Sequence, residues 1–215
     1  MGKKAFIIFI SIFALLISLY FFEKRKTHWN EVPRNSPRIC KKFPKNENKK
    51  LIVFAGDSLT RGNLSFDWVN KLGKIEEITA QFELINAGIN GRLANSLFLA
   101  LDDIIYCKPD IIIILIGTND AFGSIDSRGA EFYKQKWKIE ESPSYFSFIQ
   151  NLENIIDKLH EQTNATIGVF SIPPIGENIG SFEYKAAQNL SNGIKDVGLK
   201  KGITYLPLNE KIEKE

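Results

Sequence analysis

The segment DIIIILIG, residues 110–117, constrains the fold more than any other feature because it is apolar almost without a break. Such a run is typical of a strand covered on both faces at the centre of a parallel sheet. Four further short runs predict strands over residues 51–55, 82–86, 166–172 and 203–207. Amphipathic stretches predict helices over residues 61–78, 93–106, 145–162 and 183–200. This alternation predicts an α/β fold, a three-layer α/β/α sandwich with a parallel sheet and right-handed crossovers.

Residues 5–22 contain no charge over 18 positions, after a short tail of residues 1–4. As a helix this segment would extend about 27 Å, close to the thickness of a bilayer core. A cleaved secretory signal would need a small-residue cleavage site, but the run ends in Tyr20, Phe21 and Phe22 before a charged stretch. A buried core helix is disfavoured because the segment is apolar on all faces. We therefore predict an uncleaved transmembrane anchor.

Residues 23–50 carry ten Lys or Arg against three acids, a net charge of +7, and include three prolines. With no sustained hydrophobic period, this composition predicts a basic linker. The linker either meets anionic lipid headgroups or is only a soluble tether. The remaining domain, residues 51–215, has a net charge of −6, which argues against nucleic acid as a partner. We expect a single-pass membrane protein with this domain on the extracytoplasmic side, although basic residues at both ends of the apolar segment leave its orientation open.

The chain has two cysteines, Cys40 and Cys107, and two histidines, His28 and His160. Their spacing fits neither a disulfide framework nor a metal site, so we interpret both cysteines as free thiols. A zinc site made of clustered ligands is not expected either. The sequence therefore predicts neither a metal nor a cofactor.

Three polar, glycine-bearing segments directly follow the first three predicted strands. They are GDSL (residues 56–59), NAGINGR (residues 86–92) and GTND (residues 117–120). The carboxyl ends of parallel strands meet at one edge of a sheet, where ligands of such folds bind. We therefore expect these segments to form one site.

The three segments supply residue types suited to acyl transfer. Ser58 follows a strand and opens a helix, as a nucleophile beside a positive helix end would; the alternative is an ordinary helix cap. Gly88 lets the backbone approach an oxyanion and donate its N–H, or is a turn glycine. Asn119 offers an amide NH₂, or is a turn residue. Together the three have the parts of an oxyanion hole.

FAGDSLTRG (residues 54–62), NAGINGR and IGTND (residues 116–120) resemble the SGNH, or GDSL-type, hydrolases in order and spacing. The resemblance covers most of residues 51–215. It implies that Ser58 is the nucleophile and that its own N–H, the Gly88 N–H and the Asn119 side chain form the oxyanion hole. It also implies metal-independent ester hydrolysis through an acyl-enzyme, on lysophospholipids, simple acyl esters or acetylated sugars.

One family feature is not found in its usual place. The family takes its general base from an Asp-x-x-His motif after the last strand, and no such motif follows ITYLP here. A copy, Asp157 to His160, lies in the predicted helix before the fourth strand, and we do not favour it as the base. Either the chain is incomplete at its C-terminus, or the domain has lost efficient catalysis and binds an acylated ligand without turnover.

A nucleotide-binding protein is disfavoured because no phosphate-binding glycine motif follows the first strand.

Residues 121–148 are rich in aromatic side chains directly after the Asn119 segment. The set is Phe122, Phe132, Tyr133, Trp137, Tyr145, Phe146 and Phe148. It could line an acyl or sugar pocket over Ser58. The favoured interpretation is ordinary packing of a long loop and the start of the next helix.

Overall fold

A computed structural model describes residues 32–176 and 178–212 of the 215-residue chain. Within this part, five strands form one sheet in the order β2-β1-β3-β4-β5. The strands are β1 (Lys50–Gly56), β2 (Phe82–Gly88), β3 (Ile111–Leu115), β4 (Thr166–Phe170) and β5 (Thr204–Leu206). All neighbouring pairs are parallel. The predicted parallel sheet and its five strands are confirmed.

Helices connect the strands. Between β1 and β2 lie α1 (Ser58–Arg61), α2 (Trp68–Leu72) and α3 (Glu76–Gln81); between β2 and β3 lie α4 (Ala94–Phe98) and α5 (Leu101–Tyr106). Between β3 and β4 lie α6 (Thr118–Ile125), α7 (Ser127–Trp137) and α8 (Tyr145–Gln162), followed by α9 (Phe182–Lys201) before β5 and α10 (Leu208–Ile212) after it.

The helices predicted over residues 145–162 and 183–200 are confirmed as α8 and α9, whereas the other two are divided. The prediction of one helix over residues 61–78 was wrong, because Gly62 ends α1 with a left-handed φ of 78°, a conformation that stops a helix. The prediction over residues 93–106 was also wrong, since Leu99 and Ala100 separate α4 from α5. The long loop expected within residues 121–148 is instead largely the helices α6 and α7.

The core lies mainly on one face of the sheet. Alternate strand residues such as Val53, Ile112 and Val169 are fully buried there, against α4, α5, α8 and α9. The buried residues of α8 follow the spacing of one helix face; they are Phe148, Leu152, Ile155, Ile156 and Leu159.

The opposite face of the sheet carries α2. Its Trp68 ring packs edge-on against Phe54, with ring centroids 5.0 Å apart, and against Phe170 at 6.4 Å. Ile111 and Ile113 of β3 are only half-buried. Helices therefore lie on both faces of the sheet, as predicted, but they cover β3 less completely on this face than its sequence suggested.

Residues 33–49 pack against the sheet domain, although they were predicted to be part of the linker. Pro33 begins the compact unit that contains the sheet, and a 3-10 helix spans Pro37–Lys41. The backbone N–H of Asn86 donates to the carbonyl of Asn35 at 2.9 Å, and Ile39 packs against the core. This part of the segment therefore belongs to the domain.

The prediction of two free thiols was wrong. Cys40 of this segment and Cys107, which follows α5, form a disulfide with their Cα atoms 5.2 Å apart. The two cysteines are separated by 67 residues, so sequence spacing could not indicate that the fold brings them within bonding distance.

The predicted anchor, residues 5–22, lies outside the described residues. Of the helices in residues 32–176 and 178–212, none has the length and apolar character needed to cross a bilayer.

Candidate active site

Three strands end at the same level of the sheet. Gly56, the last residue of β1, pairs with Gly88 of β2 on one side and with Leu115 of β3 on the other. Beyond the strands, the Ile89 N–H donates to the Gly56 carbonyl at 3.1 Å, and the Asp57 N–H donates to the Leu115 carbonyl at 3.4 Å. The three polar segments therefore meet at one edge, as predicted.

Ser58 is the first residue of α1 and is half-buried. The side-chain cap of this helix is Asp57, whose Oδ1 accepts the N–H of Leu59 at 2.9 Å. The alternative that Ser58 is the capping residue is therefore wrong. Its hydroxyl stands at the positive end of α1 without serving as the cap, a position suited to a nucleophile.

Gly88 is required for close packing. A Cβ atom at Gly88 would overlap the backbone of Arg61, and one at Gly56 would overlap the Leu115 carbonyl oxygen. The N–H of Gly88 donates to Asn86 Oδ1 at 2.9 Å, while Asn86 Nδ2 donates to the Thr60 carbonyl at 2.9 Å. Because this N–H is already engaged, the structure does not support the predicted role of Gly88 as an oxyanion donor.

Gly91 is a second candidate donor that the sequence analysis did not single out. It has a φ of +70°, in a turn that the Arg92 N–H closes by donating to the Ile89 carbonyl at 3.2 Å. Its N–H has no acceptor among the described residues. The only sequence signal was the second glycine of NAGINGR, which pattern alone could not rank above the first.

Asn119 lies in the first turn of α6, two residues after Gly117, the N-cap, whose φ of +125° is a conformation open to glycine. Its amide nitrogen donates to the Arg92 carbonyl at 3.0 Å, and its Oδ1 accepts the hydroxyl of Tyr133 at 2.8 Å. An amide nitrogen carries two N–H groups, so one remains for a ligand. This arrangement is compatible with the predicted donor role.

A buried charge cluster lies beneath these segments. Asp57 and Asp120 are almost fully buried, and burial raises the pKa of each carboxyl to about 7, with repulsion between the two adding to the shift at Asp120. Arg92 is the cation of the cluster, and its burial lowers its pKa to about 10. The Asp120 carboxylate accepts the Ala94 N–H at 3.2 Å, and Arg92 Nη1 donates to the Ala87 carbonyl at 2.7 Å.

The Asp157 to His160 copy lies at the amino edge of the sheet, the edge where the parallel strands begin. It is on the last turns of α8, which leads into the first residue of β4. Asp157 pairs with Lys201 at 2.7 Å, and His160 is exposed. This motif therefore does not bring a histidine to Ser58, in agreement with our preference against it.

The aromatic residues between residues 121 and 148, for which we favoured ordinary packing over a pocket, are divided between packing and surface. Tyr133 and Phe148 are buried, whereas Phe122, Phe132 and Phe146 are exposed. Phe122, Phe132 and Tyr133 line a shallow cavity of about 470 Å³ together with Arg128. No group of three His, Cys, Asp or Glu residues within residues 32–176 and 178–212 is arranged to hold a metal ion.

A model of the GDSL-like lipase/acylhydrolase family matches residues 54–215. The chain belongs to this family. No curated protein matches it.

Solved structures share the fold of this family member. The acetyl xylan esterase AlAXEase has a TM-score of 0.61 and 22% identity, with coverage of 75% of this chain and 78% of that one. A lipase/acylhydrolase from Enterococcus faecalis has a TM-score of 0.59 and 20% identity, covering 77% and 80%. A variant of an acetyl xylan esterase from Geobacillus stearothermophilus has a TM-score of 0.62 and 19% identity, covering 77% and 81%. At these identities the likeness concerns the fold.

Proposed function

We propose that this family member is a metal-independent serine ester hydrolase that acts on small acyl esters such as acetylated carbohydrates. The observation that carries the proposal is the meeting of Ser58, the Gly91 turn and Asn119 at one edge of the sheet. Ser58 opens a helix beside β1, while the other two follow the strands on either side of β1. The family and the esterases that share its fold support this reaction class.

In this mechanism the Ser58 hydroxyl attacks the ester carbonyl carbon and its proton passes to a general base. The charge that develops on the carbonyl oxygen is stabilised by the Ser58 N–H, the Gly91 N–H and the free N–H of Asn119. Collapse of the tetrahedral intermediate releases the alcohol and leaves an acyl-enzyme, which water then hydrolyses. Gly91 takes the place that the sequence analysis assigned to Gly88, because the Gly88 N–H is bound by Asn86.

Replacing Ser58 with alanine in the full chain tests the mechanism, with p-nitrophenyl acetate and acetylated xylo-oligosaccharides as substrates. We expect Ser58→Ala to lower turnover by about a thousandfold or more. Ser127→Ala is the matched control, because Ser127 also follows an aspartate cap at the first position of a helix but is exposed on α7. Its turnover should stay within about twofold of the wild type. Wild-type turnover in Ser58→Ala would contradict the mechanism.

A second candidate is a module that binds an acylated ligand without turnover. The observation that favours it is the position of His160. This residue is the only histidine among the described residues, and it lies at the edge of the sheet away from Ser58. Binding of the acetylated oligosaccharide by a wild-type protein that hydrolyses no faster than Ser58→Ala would support this candidate over the first.

We further propose that the domain lies on the extracytoplasmic side of a membrane, anchored by residues 5–22. The Cys40–Cys107 disulfide supports this location, because disulfides form and persist in oxidising compartments and are rare in the cytosol. The redox state of the pair in protein isolated from its host without reductant tests the location.

A further inference from the structure

Helix α7 forms hydrogen bonds with two of the segments at the carboxyl edge. The Tyr133 hydroxyl donates to Asn119 Oδ1 at 2.8 Å. From the same helix, Lys136 Nζ donates to the Asn90 carbonyl at 2.9 Å and Trp137 Nε1 donates to the Gly91 carbonyl at 2.6 Å. One helix therefore holds both the asparagine and the glycine turn that the proposed oxyanion hole uses.

The hydrogen bond from Tyr133 determines which way the Asn119 amide faces. A phenol hydroxyl in this position donates to the amide oxygen, and the amide NH₂ is then directed to the opposite side. There one of its N–H groups meets the Arg92 carbonyl at 3.0 Å. Without the hydroxyl, the amide oxygen would lose this partner, and the orientation with NH₂ toward the site would be less strongly preferred.

The surroundings of Tyr133 keep its hydroxyl protonated, so that it can donate a hydrogen bond. The side chain is only 8% exposed, and its burial, with the nearby charges of Asp120 and Asp57, raises its pKa to about 12. The phenol therefore stays protonated at neutral pH. A ring that served packing alone would not need a hydroxyl here, since burying an additional polar group costs free energy unless it is hydrogen-bonded.

We propose that Tyr133 is a positioning residue that orients the Asn119 amide so that its free N–H faces the carbonyl oxygen of a bound ester. Its effect on turnover rests on the proposed function, whereas its effect on the Asn119 amide does not. Lys136 and Trp137 hold the Gly91 turn in the same way, through its carbonyl groups.

Tyr133→Phe in the full chain tests the effect on turnover. We expect kcat to fall about tenfold, because a misoriented donor loses part of the transition-state stabilisation that an oxyanion-hole hydrogen bond provides. KM should remain within about twofold, since the ground-state carbonyl depends less on this donor. An unchanged kcat in a protein whose wild type is active would overturn the proposal.

Tyr205→Phe is the matched control. Tyr205 also donates its hydroxyl to a side-chain oxygen, Glu210 Oε1 at 2.6 Å, and its pKa is likewise raised to about 12 by partial burial and Glu210. Its ring belongs to β5, away from the Asn119 and Gly91 segments. Loss of stability alone would affect both variants, so an equal fall of kcat in Tyr205→Phe would also overturn the proposal.

A double-mutant cycle tests whether Tyr133 acts through Asn119. In an Asn119→Ala background, Tyr133→Phe should cause no further loss of kcat, because the group that it orients is already gone. Losses that simply multiply would assign the hydroxyl another role and contradict the proposal.

A nuclear magnetic resonance measurement tests the orientation without any substrate. The side-chain amide signals of Asn119 are identified by their disappearance in Asn119→Ala. In Tyr133→Phe they should shift and exchange faster with solvent, and in Tyr205→Phe they should not. Unchanged signals in Tyr133→Phe would overturn the proposal, whether or not the wild type has esterase activity. Absence of esterase activity in the wild type would contradict only the proposed function.

Discussion

The carboxyl groups at the two ends of β1 and β3 have pKa values that are shifted in opposite directions. At the amino edge, Asp110 lies just before β3, where partial burial raises its pKa but hydrogen bonds from Lys45 and the Leu51 N–H more than offset this and hold it below the ordinary value. At the carboxyl edge, Asp57 and Asp120 are buried, and their pKa values are raised to about 7. The charge of Asp110 is therefore stabilised, whereas burial disfavours the charges of Asp57 and Asp120.

This difference indicates which edge is built for chemistry. At the carboxyl edge, the Asp57 Oδ2 atom and the Arg92 Nε atom are buried without a hydrogen-bond partner among the described residues. Such groups lower the free energy of unfolding, and ionisable groups with perturbed pKa values cluster at functional sites. At the amino edge the ion pairs, such as Lys201 with Asp157, are partly exposed and satisfied. We therefore interpret the amino edge as structural.

The largest expected effect concerns the disulfide near the amino edge. Cys40→Ser should lower the free energy of unfolding by about 2–4 kcal/mol, because the bond closes a long loop and restricts the unfolded chain. Turnover at the other edge should change little at temperatures where the variant is folded. Chemical denaturation with and without reductant measures the effect.

The control for this prediction is reduction of the wild-type protein, which should reproduce the destabilisation, whereas reductant should have no further effect on Cys40→Ser. Alkylation followed by mass spectrometry, on protein isolated without reductant, should leave both cysteines unmodified. Free thiols in that preparation would contradict both the stabilising role of the bond and the extracytoplasmic location.

The strands and the three site segments were predictable from the sequence because their signals are local. Apolar runs such as DIIIILIG identify strands, and parallel pairing then places the ends of β1, β2 and β3 at one edge. The placement of Ser58 and Asn119 at this edge follows from the strand pattern and parallel pairing alone. The break at Gly62 was missed because amphipathic spacing continues past it, although a glycine that ends a helix is also a local signal.

The remaining features depend on contacts between distant residues. The approach of Cys40 to Cys107 depends on how residues 33–49 pack, and no spacing rule predicts it. The choice between Gly88 and Gly91 depends on the side chain of Asn86, which binds the first N–H. Tyr133 was named only as one of a set of aromatic residues, because its contact with Asn119 requires α7 to pack beside that residue, in a region expected to be a loop.

The next largest expected effect is on the pH dependence of stability, which should differ between a carboxyl at the carboxyl edge and one at the amino edge. The pKa of the Asp120 carboxyl is raised from 3.8 to about 7, so the folded state binds this proton more tightly than the unfolded state does. Protonated Asp120 therefore contributes its full stability to the fold below about pH 4, and this contribution is lost as the pH rises through 7. Asp120→Asn keeps an acceptor for the Ala94 N–H without a buried charge. Relative to wild type, it should gain about 1–3 kcal/mol of stability between pH 4 and pH 8.

Asp110→Asn is the control from the amino edge and should have the opposite sign. Its pKa is lowered by Lys45 and the Leu51 N–H despite partial burial, so its carboxylate stabilises the fold above the unfolded pKa, and this is lost as the pH falls. Asp110→Asn should therefore be less stable than wild type at pH 7 and approach it in acid. Urea denaturation at several pH values measures both variants; the same sign in both would contradict the contrast between the edges.

The smallest expected effect concerns His160, which tests whether the amino edge takes any part in the reaction. Asp157 and His160 match the family's motif in sequence, but α8 carries them to the end of the sheet away from Ser58, with Asp157 paired to Lys201. His160→Gln should therefore leave ester turnover within about twofold of wild type and the free energy of unfolding within about 0.5 kcal/mol. The turnover of His160→Gln is compared with that of wild type and with the residual turnover of Ser58→Ala. If turnover fell to that background while stability was unchanged, His160 would have to reach Ser58 in another arrangement of the chain, and the assignment of chemistry to the carboxyl edge alone would be wrong.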